Sequence, residues 1–185
     1  MLNLHEQDKA YNAIKFFVEH TSACEKKKLY KLLYALDFEH FAATGRSVTG
    51  YHYAAWKMGP VPIELDREIK NNDSDLLVNF SLDQGPSSYD SLCLVPKTQF
   101  EARYFSKREM ALLKDLVGRF DLSTGGEMED WTHVDGRPWD RVYNKEGRPG
   151  QLIPFEYELD GMDDNEKEIV LDLANDREVF IANYK

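Results

Sequence analysis

The densest group of chemically capable side chains in this sequence lies around His133. Asp135 follows it closely, and three further acids precede it: Glu127, Glu129 and Asp130. A carboxylate beside an imidazole is the pairing that general acid–base catalysis uses, and both groups bind metals. The spacing does not favour a metal, because no H-x-x-x-H or C-x-x-C motif is present. We interpret His133 as structural, with its ring nitrogens bonded to backbone before Trp139.

A second polar group lies on a segment that predicts a buried helix. Asp37 and His40 are three residues apart, so they share one helical face, and charges buried there need partners. We expect Lys31 or Arg67 to pair with Asp37. No serine stands in a G-x-S-x-G elbow, and no glycine-rich phosphate loop is present. The sequence therefore predicts no catalytic residue, no metal and no cofactor, and an enzyme acting through His133 stays an alternative.

These side chains need a scaffold, and the hydrophobic pattern predicts one dominated by helices. From Leu29 to Phe41 apolar residues fall on nearly every face, which is typical of a central helix covered on several sides. Gly45 suits its C-terminal cap. An extended run over 48–56 follows, and Gly59-Pro60-Val61-Pro62 breaks it. Pro62 then suits the first turn of a helix over 63–71.

The rest of the chain alternates short strands with capped helices. Strands are predicted over 76–82, 91–96 and 153–159, the last as an edge strand that tolerates Pro154. Ser22, Ser106 and Thr124 each stand three residues before a glutamate, the pattern of a capping box. A last helix follows the strand over 153–159. The predicted fold class is α+β, a helix-dominated single domain over 1–185 with a small, mainly antiparallel sheet and a central buried helix.

The net charge of the chain limits the classes of partner that we expect. The net charge of the 185 residues is −10, and the negative excess lies after the first 72 residues. An acidic surface repels nucleic acid and favours a basic protein partner. The run Lys26-Lys27-Lys28 opposes the dipole of its own helix, which indicates a contact with something acidic. No apolar stretch is long enough for a membrane span. We therefore expect a cytoplasmic protein that binds neither nucleic acid nor membrane.

Two motifs then resemble a known family. Leu29-x-Lys31-Leu32-Leu33-Tyr34 is followed by Gly45 and by Ala55-Trp56-x-x-Gly59-Pro60-Val61, and Thr132-His133-x-x-x-x-Pro138-Trp139 comes further on. Together they resemble the Panacea, or SocA-like, antitoxin domain, which also occurs in phage-associated GepA-like proteins. The resemblance covers roughly residues 8–145. The positions that match the family pattern are Lys31, Tyr34, Trp56, Gly59, Pro60, His133, Pro138 and Trp139.

The resemblance implies a function that the residues alone do not. Members of the family neutralise unrelated toxins by direct protein–protein binding, so it implies a cognate toxin as partner, encoded by a neighbouring gene. One branch acts as an adaptor that delivers its toxin to the ClpXP protease, which is an alternative. The resemblance implies that most of the matching positions are structural, because their aromatic and Gly-Pro character suits a scaffold better than a reaction centre.

Overall fold

The computed structural model describes residues 4–86 and 91–183. Within these ranges the chain forms eight α-helices and two hairpins of two antiparallel strands each. The helices are α1 (Leu4–His20), α2 (Lys26–Thr44), α3 (Ile63–Asn71), α4 (Ser74–Asn79), α5 (Lys107–Phe120), α6 (Gly125–Thr132), α7 (Pro138–Asp140) and α8 (Asp164–Asn183). The strands are β1 (Tyr53–Trp56), β2 (Gly59–Pro62), β3 (Phe80–Gln84) and β4 (Leu92–Pro96). The predicted class, helix-dominated α+β, is confirmed. In the described ranges no helix is both long and apolar enough to cross a membrane.

Helix α2 is the central helix that the sequence predicts. Thirteen of its 19 residues are buried, because α1, α5, α6, α8 and β2 all contact it. It ends at Gly45, whose φ of +70° lies in the left-handed region. A Cβ atom at Gly45 would lie 2.7 Å from backbone atoms of Val170 and Ala174 in α8. Glycine therefore both ends α2 and lets α8 approach it.

The Gly-Pro segment predicted as a break is strand β2. Trp56 pairs with Gly59 and Tyr53 with Pro62. The amide of Ile63 extends the ladder by donating to the carbonyl oxygen of His52. Hydrogen-bonded positions alternate along an antiparallel pair, so Pro60 and Pro62 face away from β1. Their missing N–H groups cost nothing there. The carbonyl of Pro60 is left free to accept a bond from another element.

Residues 150–153 lie along the other side of β1. The amide of Ala55 donates to the carbonyl of Gln151, and the amide of Gly150 donates back to the carbonyl of Ala55. The amide of Ile153 donates to the carbonyl of Tyr53. The first hairpin is therefore held on both sides of β1, which fixes the position of its turn at Lys57 and Met58.

Two of the predicted strands are wrong in part or in full. The first half of 76–82 is helix α4, capped by Asp73, which accepts a bond from the amide of Asp75; β3 begins only at Phe80. Phe155–Leu159 is a 3-10 helix rather than an edge strand. The apolar alternation there reflects packing of Phe155 on α2, with its ring centroid 4.6 Å from that of Phe38.

Two of the three predicted capping boxes are confirmed. Ser106 and Thr124 each accept a bond from the backbone amide three residues later, and the glutamate at that position accepts one in return from the backbone amide of the cap residue. The third, at Ser22, is wrong. Its amide and hydroxyl both donate to Asp121 Oδ1, at 2.7 and 2.9 Å, so α2 starts without a side-chain cap.

Asp37 is buried in the middle of α2 and holds the chain that leads into β1. Its Oδ1 accepts bonds from the amides of Val48 and Thr49 at 2.7 and 2.8 Å. Its Oδ2 accepts bonds from the Thr49 hydroxyl and, at 2.6 Å, from the Tyr53 hydroxyl. Burial raises the pKa of Asp37, and these four bonds oppose the increase.

The predicted ion pair of Asp37 is therefore wrong. Lys31 bonds elsewhere, and Arg67 is exposed. His40 does not pair with Asp37 either, because its Nδ1 lies 2.7 Å from the carbonyl oxygen of Arg46. A sequence pattern shows that a buried carboxylate needs donors, and here backbone amides of a following loop supply them.

Replacing Asp37 tests this anchoring role. Asp37→Ala leaves two buried amides and two hydroxyls without their acceptor, so we expect a loss of about 3–5 kcal/mol in the free energy of unfolding. Glu39→Ala, on the same helix, removes an exposed ion pair with Arg119 and should lose no more than about 1 kcal/mol. Urea denaturation followed by circular dichroism measures both. Equal losses for the two variants would contradict the assignment.

Candidate functional site

The structure brings the family-motif residues into one cluster formed by three elements. Helix α2 contributes Lys31 and Tyr34, and the β1–β2 hairpin contributes Trp56, Gly59 and Pro60. The third element is α6 with the loop and short helix α7 after it, and it contributes His133, Pro138 and Trp139. Although more than 100 residues separate the first from the last, they contact one another through the interactions described below.

Lys31 joins the central helix to the hairpin. Its Nζ donates to the carbonyl oxygen of Pro60 at 2.9 Å, and only 1% of the residue is exposed. Burial lowers the pKa of Lys31 to about 7, and Glu129 opposes this decrease while Lys27 adds to it. Glu129 itself forms an ion pair with Lys27. Lys31 is thus an amine held in the interior with a single described hydrogen bond.

Gly59 makes this contact possible. Its φ is +98°, a backbone conformation that disfavours side chains. A Cβ atom there would lie 2.5 Å from Cε and 2.8 Å from Nζ of Lys31, and 3.0 Å from the Thr132 hydroxyl. Glycine is therefore required twice, once by the turn of the hairpin and once by the lysine beneath it.

Trp139 fixes the hairpin from the other side. Its indole Nε1 donates to the carbonyl oxygen of Trp56 at 2.9 Å. The ring of Trp139 lies between two stacked neighbours, with centroid distances of 3.6 Å to His133 and 4.7 Å to Tyr143. Pro138 begins this short helix at the position where a missing N–H is harmless. These residues form a rigid support for the turn at 57–58.

Two of the acids close to His133 in the sequence pair with lysines in the structure. The ring of His133 stacks on Trp139, and its buried Nε2 has no hydrogen-bond partner among the described residues. Burial lowers its pKa. Asp135 instead pairs with Lys145 at 2.9 Å, and Glu129 with Lys27. The expectation that the ring nitrogens of His133 both bind backbone is wrong, since stacking rather than hydrogen bonding fixes the ring.

Tyr34 lies in the interior of the protein. Its ring is fully buried and packs against Phe38 and Tyr53, with centroid distances of 4.2 and 5.6 Å. Burial raises its pKa well above the ordinary value. Tyr34 thus belongs to the aromatic core that α2 and β1 share. Within the described residues no group of three or more His, Cys, Asp or Glu is arranged to hold a metal.

A cleft of about 740 Å³ opens beside this cluster, between the start of α2, the hairpin turn and the start of β4. Its walls are largely apolar and include Tyr30, Trp56, Met58, Val61 and Leu92. Trp56 and Met58 are 41% and 56% exposed, so both present apolar surface at this cleft. Lys31 also lines the cleft, and since it is almost inaccessible it lies at the floor.

The sequence motifs did not identify most of this cleft. Tyr30, Met58 and Leu92 come from three separate parts of the chain, and nothing in their spacing indicates that they meet. Of the motif positions, Lys31 and Trp56 line the cleft. The remaining members of the cluster are not among the residues that line the cleft.

The fold is thus a helix-dominated scaffold that presents a rigid hairpin turn beside an apolar cleft. Residues 29–140 match the family described as antitoxin SocA-like, Panacea domain. This match spans more than half of the chain, so the chain belongs to that family, and the resemblance inferred from the motifs is confirmed. Comparisons with curated proteins and with solved structures give no match.

Gly59→Ala tests the close contact with Lys31. The new Cβ atom meets both the positive φ and the lysine, so we expect a loss of at least about 2–3 kcal/mol in the free energy of unfolding. Gly161→Ala is the matched control, because Gly161 has a φ of +90° and an added Cβ atom there would meet no atom within 4 Å. It should lose about 1–2 kcal/mol. A control loss as large as that of Gly59→Ala would contradict the contact.

Lys31→Met tests the buried charge through its pH dependence. The folded pKa of about 7 lies below the ordinary value of 10.5. Below pH 7 both states are charged and the folded state bears the full desolvation penalty. Between pH 7 and 10.5 the folded state loses the proton first, so wild-type stability rises with pH. The free energy of unfolding of wild type should therefore rise relative to that of the variant by roughly 2–4 kcal/mol from pH 6 to pH 10.

The measurement is urea denaturation of both proteins across that pH range. Taking the difference removes the contributions of the titratable groups that do not interact with Lys31. A difference that stays constant with pH would show that Lys31 has an ordinary pKa.

Proposed function

We propose that this protein is an antitoxin that neutralises a cognate toxin by direct protein–protein binding. Membership of the SocA-like antitoxin family carries the proposal. The geometry supports it, since the motif residues act as a structural scaffold and the histidine that suggested catalysis is stacked on the fixed ring of Trp139. The partner is the product of a neighbouring gene.

We assign the binding surface to the hairpin turn and the cleft beside it. Trp56 and Met58 are large apolar residues held in exposed positions, and rigid aromatic residues dominate binding energy at interfaces. The Trp56 backbone is fixed by Trp139, and its ring lies under the Lys70 ammonium at 4.7 Å. A side chain that is already ordered loses little conformational entropy on binding.

Co-expression with the neighbouring gene tests the antitoxin function. The product of that gene should arrest growth when expressed alone, and this chain should restore growth and co-purify with it in a stable stoichiometric complex. A harmless neighbour that forms no complex would contradict the proposal.

Two variants locate the surface in the same assay. Met58→Asp places a charge on the apolar rim of the cleft, and we expect it to weaken the complex at least tenfold while leaving the free energy of unfolding within about 0.5 kcal/mol. Leu122→Asp is the control, because Leu122 is 86% exposed and lies outside the cleft. If both variants weaken the complex equally, or if neither weakens it, the cleft is not part of the interface.

An adaptor role is the second candidate, and one surface favours it. Helix α8 exposes Ile169 and Leu173, which lie one turn apart on the same face. As an adaptor the chain would deliver its toxin to the ClpXP protease. Immunoblots of the toxin in strains with and without ClpXP separate the two mechanisms, because neutralisation by blocking leaves toxin levels unchanged and delivery lowers them only when the protease is present.

A further inference from the structure

The ammonium group of Lys31 is incompletely satisfied. It has three N–H donors, and in the described part of the chain the carbonyl of Pro60 is its one hydrogen-bond acceptor. The nearby carboxylate of Glu129 pairs with Lys27 instead. A charge held in this way lowers stability. Methionine or leucine would also fit a position that is 1% exposed, but neither would donate to Pro60 or place further N–H donors beside the cleft.

The surroundings of the cleft are locally basic in an acidic protein. Four lysines line it, Lys26, Lys27, Lys31 and Lys57, although the chain carries a net charge of −10. Two acids line it as well, Glu25 and Asp66. Asp66 accepts a bond from the Tyr30 hydroxyl at 3.1 Å and pairs with Lys70 at 2.7 Å and with Lys26 at 4.0 Å. Lys57, at the turn, is exposed and forms no described ion pair.

The apolar walls of the cleft set a second requirement for its occupant, besides a negative charge. Tyr30, Trp56, Met58 and Val61 surround the floor with apolar surface. A free inorganic anion would leave that surface uncovered, and nucleic acid would meet the strongly negative remainder of the protein. An occupant that fits would therefore carry an acidic group and a large apolar group close together, and a protein segment supplies both when an aspartate or glutamate adjoins a large apolar residue. The cleft volume of about 740 Å³ is in the range that holds a short peptide segment.

We propose that the cleft binds a segment of the partner protein in which an aspartate or glutamate side chain adjoins a large apolar residue. The carboxylate accepts hydrogen bonds from the free donors of Lys31 at the floor, and the apolar residue packs between Trp56 and Met58. This inference rests on the proposed function, because it names the chemistry by which the antitoxin recognises its toxin.

Selection of peptides from a random library displayed on phage tests the inference without knowledge of the toxin. The full chain is immobilised, and displayed peptides carry no free C-terminus, so any carboxylate comes from a side chain. We expect enriched peptides to share an acid next to an aromatic or large aliphatic residue. A synthetic peptide of the enriched sequence should bind at least tenfold more tightly than the same peptide with its acid changed to the amide.

Protein variants complete the test. Lys31→Met should bind the enriched peptide at least tenfold more weakly, and Lys114→Met, which removes an exposed charge outside the cleft, should bind it unchanged. If Lys31→Met does not fold, the comparison of acid and amide peptides on the wild-type protein still decides the question. No enrichment, enriched peptides without an acid, or equal binding of acid and amide forms would overturn the inference.

The outcome is separable from that of the proposed function. A toxic neighbour that forms an equally stable complex with wild type and with Lys31→Met would leave the antitoxin function intact and overturn the role of Lys31. If the neighbouring gene product is harmless but the selected peptides bind only with their acid, the antitoxin function is overturned and the role of Lys31 stands.

Discussion

The hydrogen bond from Lys31 to the carbonyl of Pro60 is the contact on which the arrangement of the motif residues depends. It needs a glycine at position 59 to let the lysine approach, and it needs a proline carbonyl that faces away from its own strand partner. It also fixes the hairpin against α2, and Trp139 makes a second hydrogen bond to the hairpin at the Trp56 carbonyl. The aromatic and Gly-Pro motifs therefore pack together, and they hold the exposed turn at Lys57 and Met58 in place.

This cluster of motif residues combines a rigid support with an unfavourable charge. Aromatic stacking, buried apolar area and paired backbone groups stabilise the fold, whereas burial of Lys31 opposes it and lowers the pKa of the amine. Proteins often retain such a destabilising group where a surface must bind a partner. His133 differs from Lys31 in this respect, because His133 is covered by a stacked ring and Lys31 lies at the floor of an open cleft.

Several patterns within a single element were predictable from the sequence, although the box at Ser22 and the strand over 153–159 were predicted wrongly, and contacts between elements were not predictable. The all-round apolar character of α2, its Gly45 cap and the boxes at Ser106 and Thr124 are local, so the sequence predicts them correctly. The prolines at positions 60 and 62 suggested a break where β2 lies. Only the strand register shows that both face away from β1, where a missing N–H costs nothing. The partners of Asp37 and the cleft residues depend on how distant segments pack. The motif identified Lys31 and Trp56, but not that they border one cleft.

Hydrogen–deuterium exchange of the chain, alone and with the product of the neighbouring gene, tests the central claim most directly. If the cleft and the hairpin turn bind the toxin, the amides of Lys57 and Met58 should exchange more slowly in the complex. The exposed turn at Leu122 should exchange at an unchanged rate. Protection confined to α5 or α8, with the hairpin turn exchanging as in the free protein, would contradict the account and place the partner on another face.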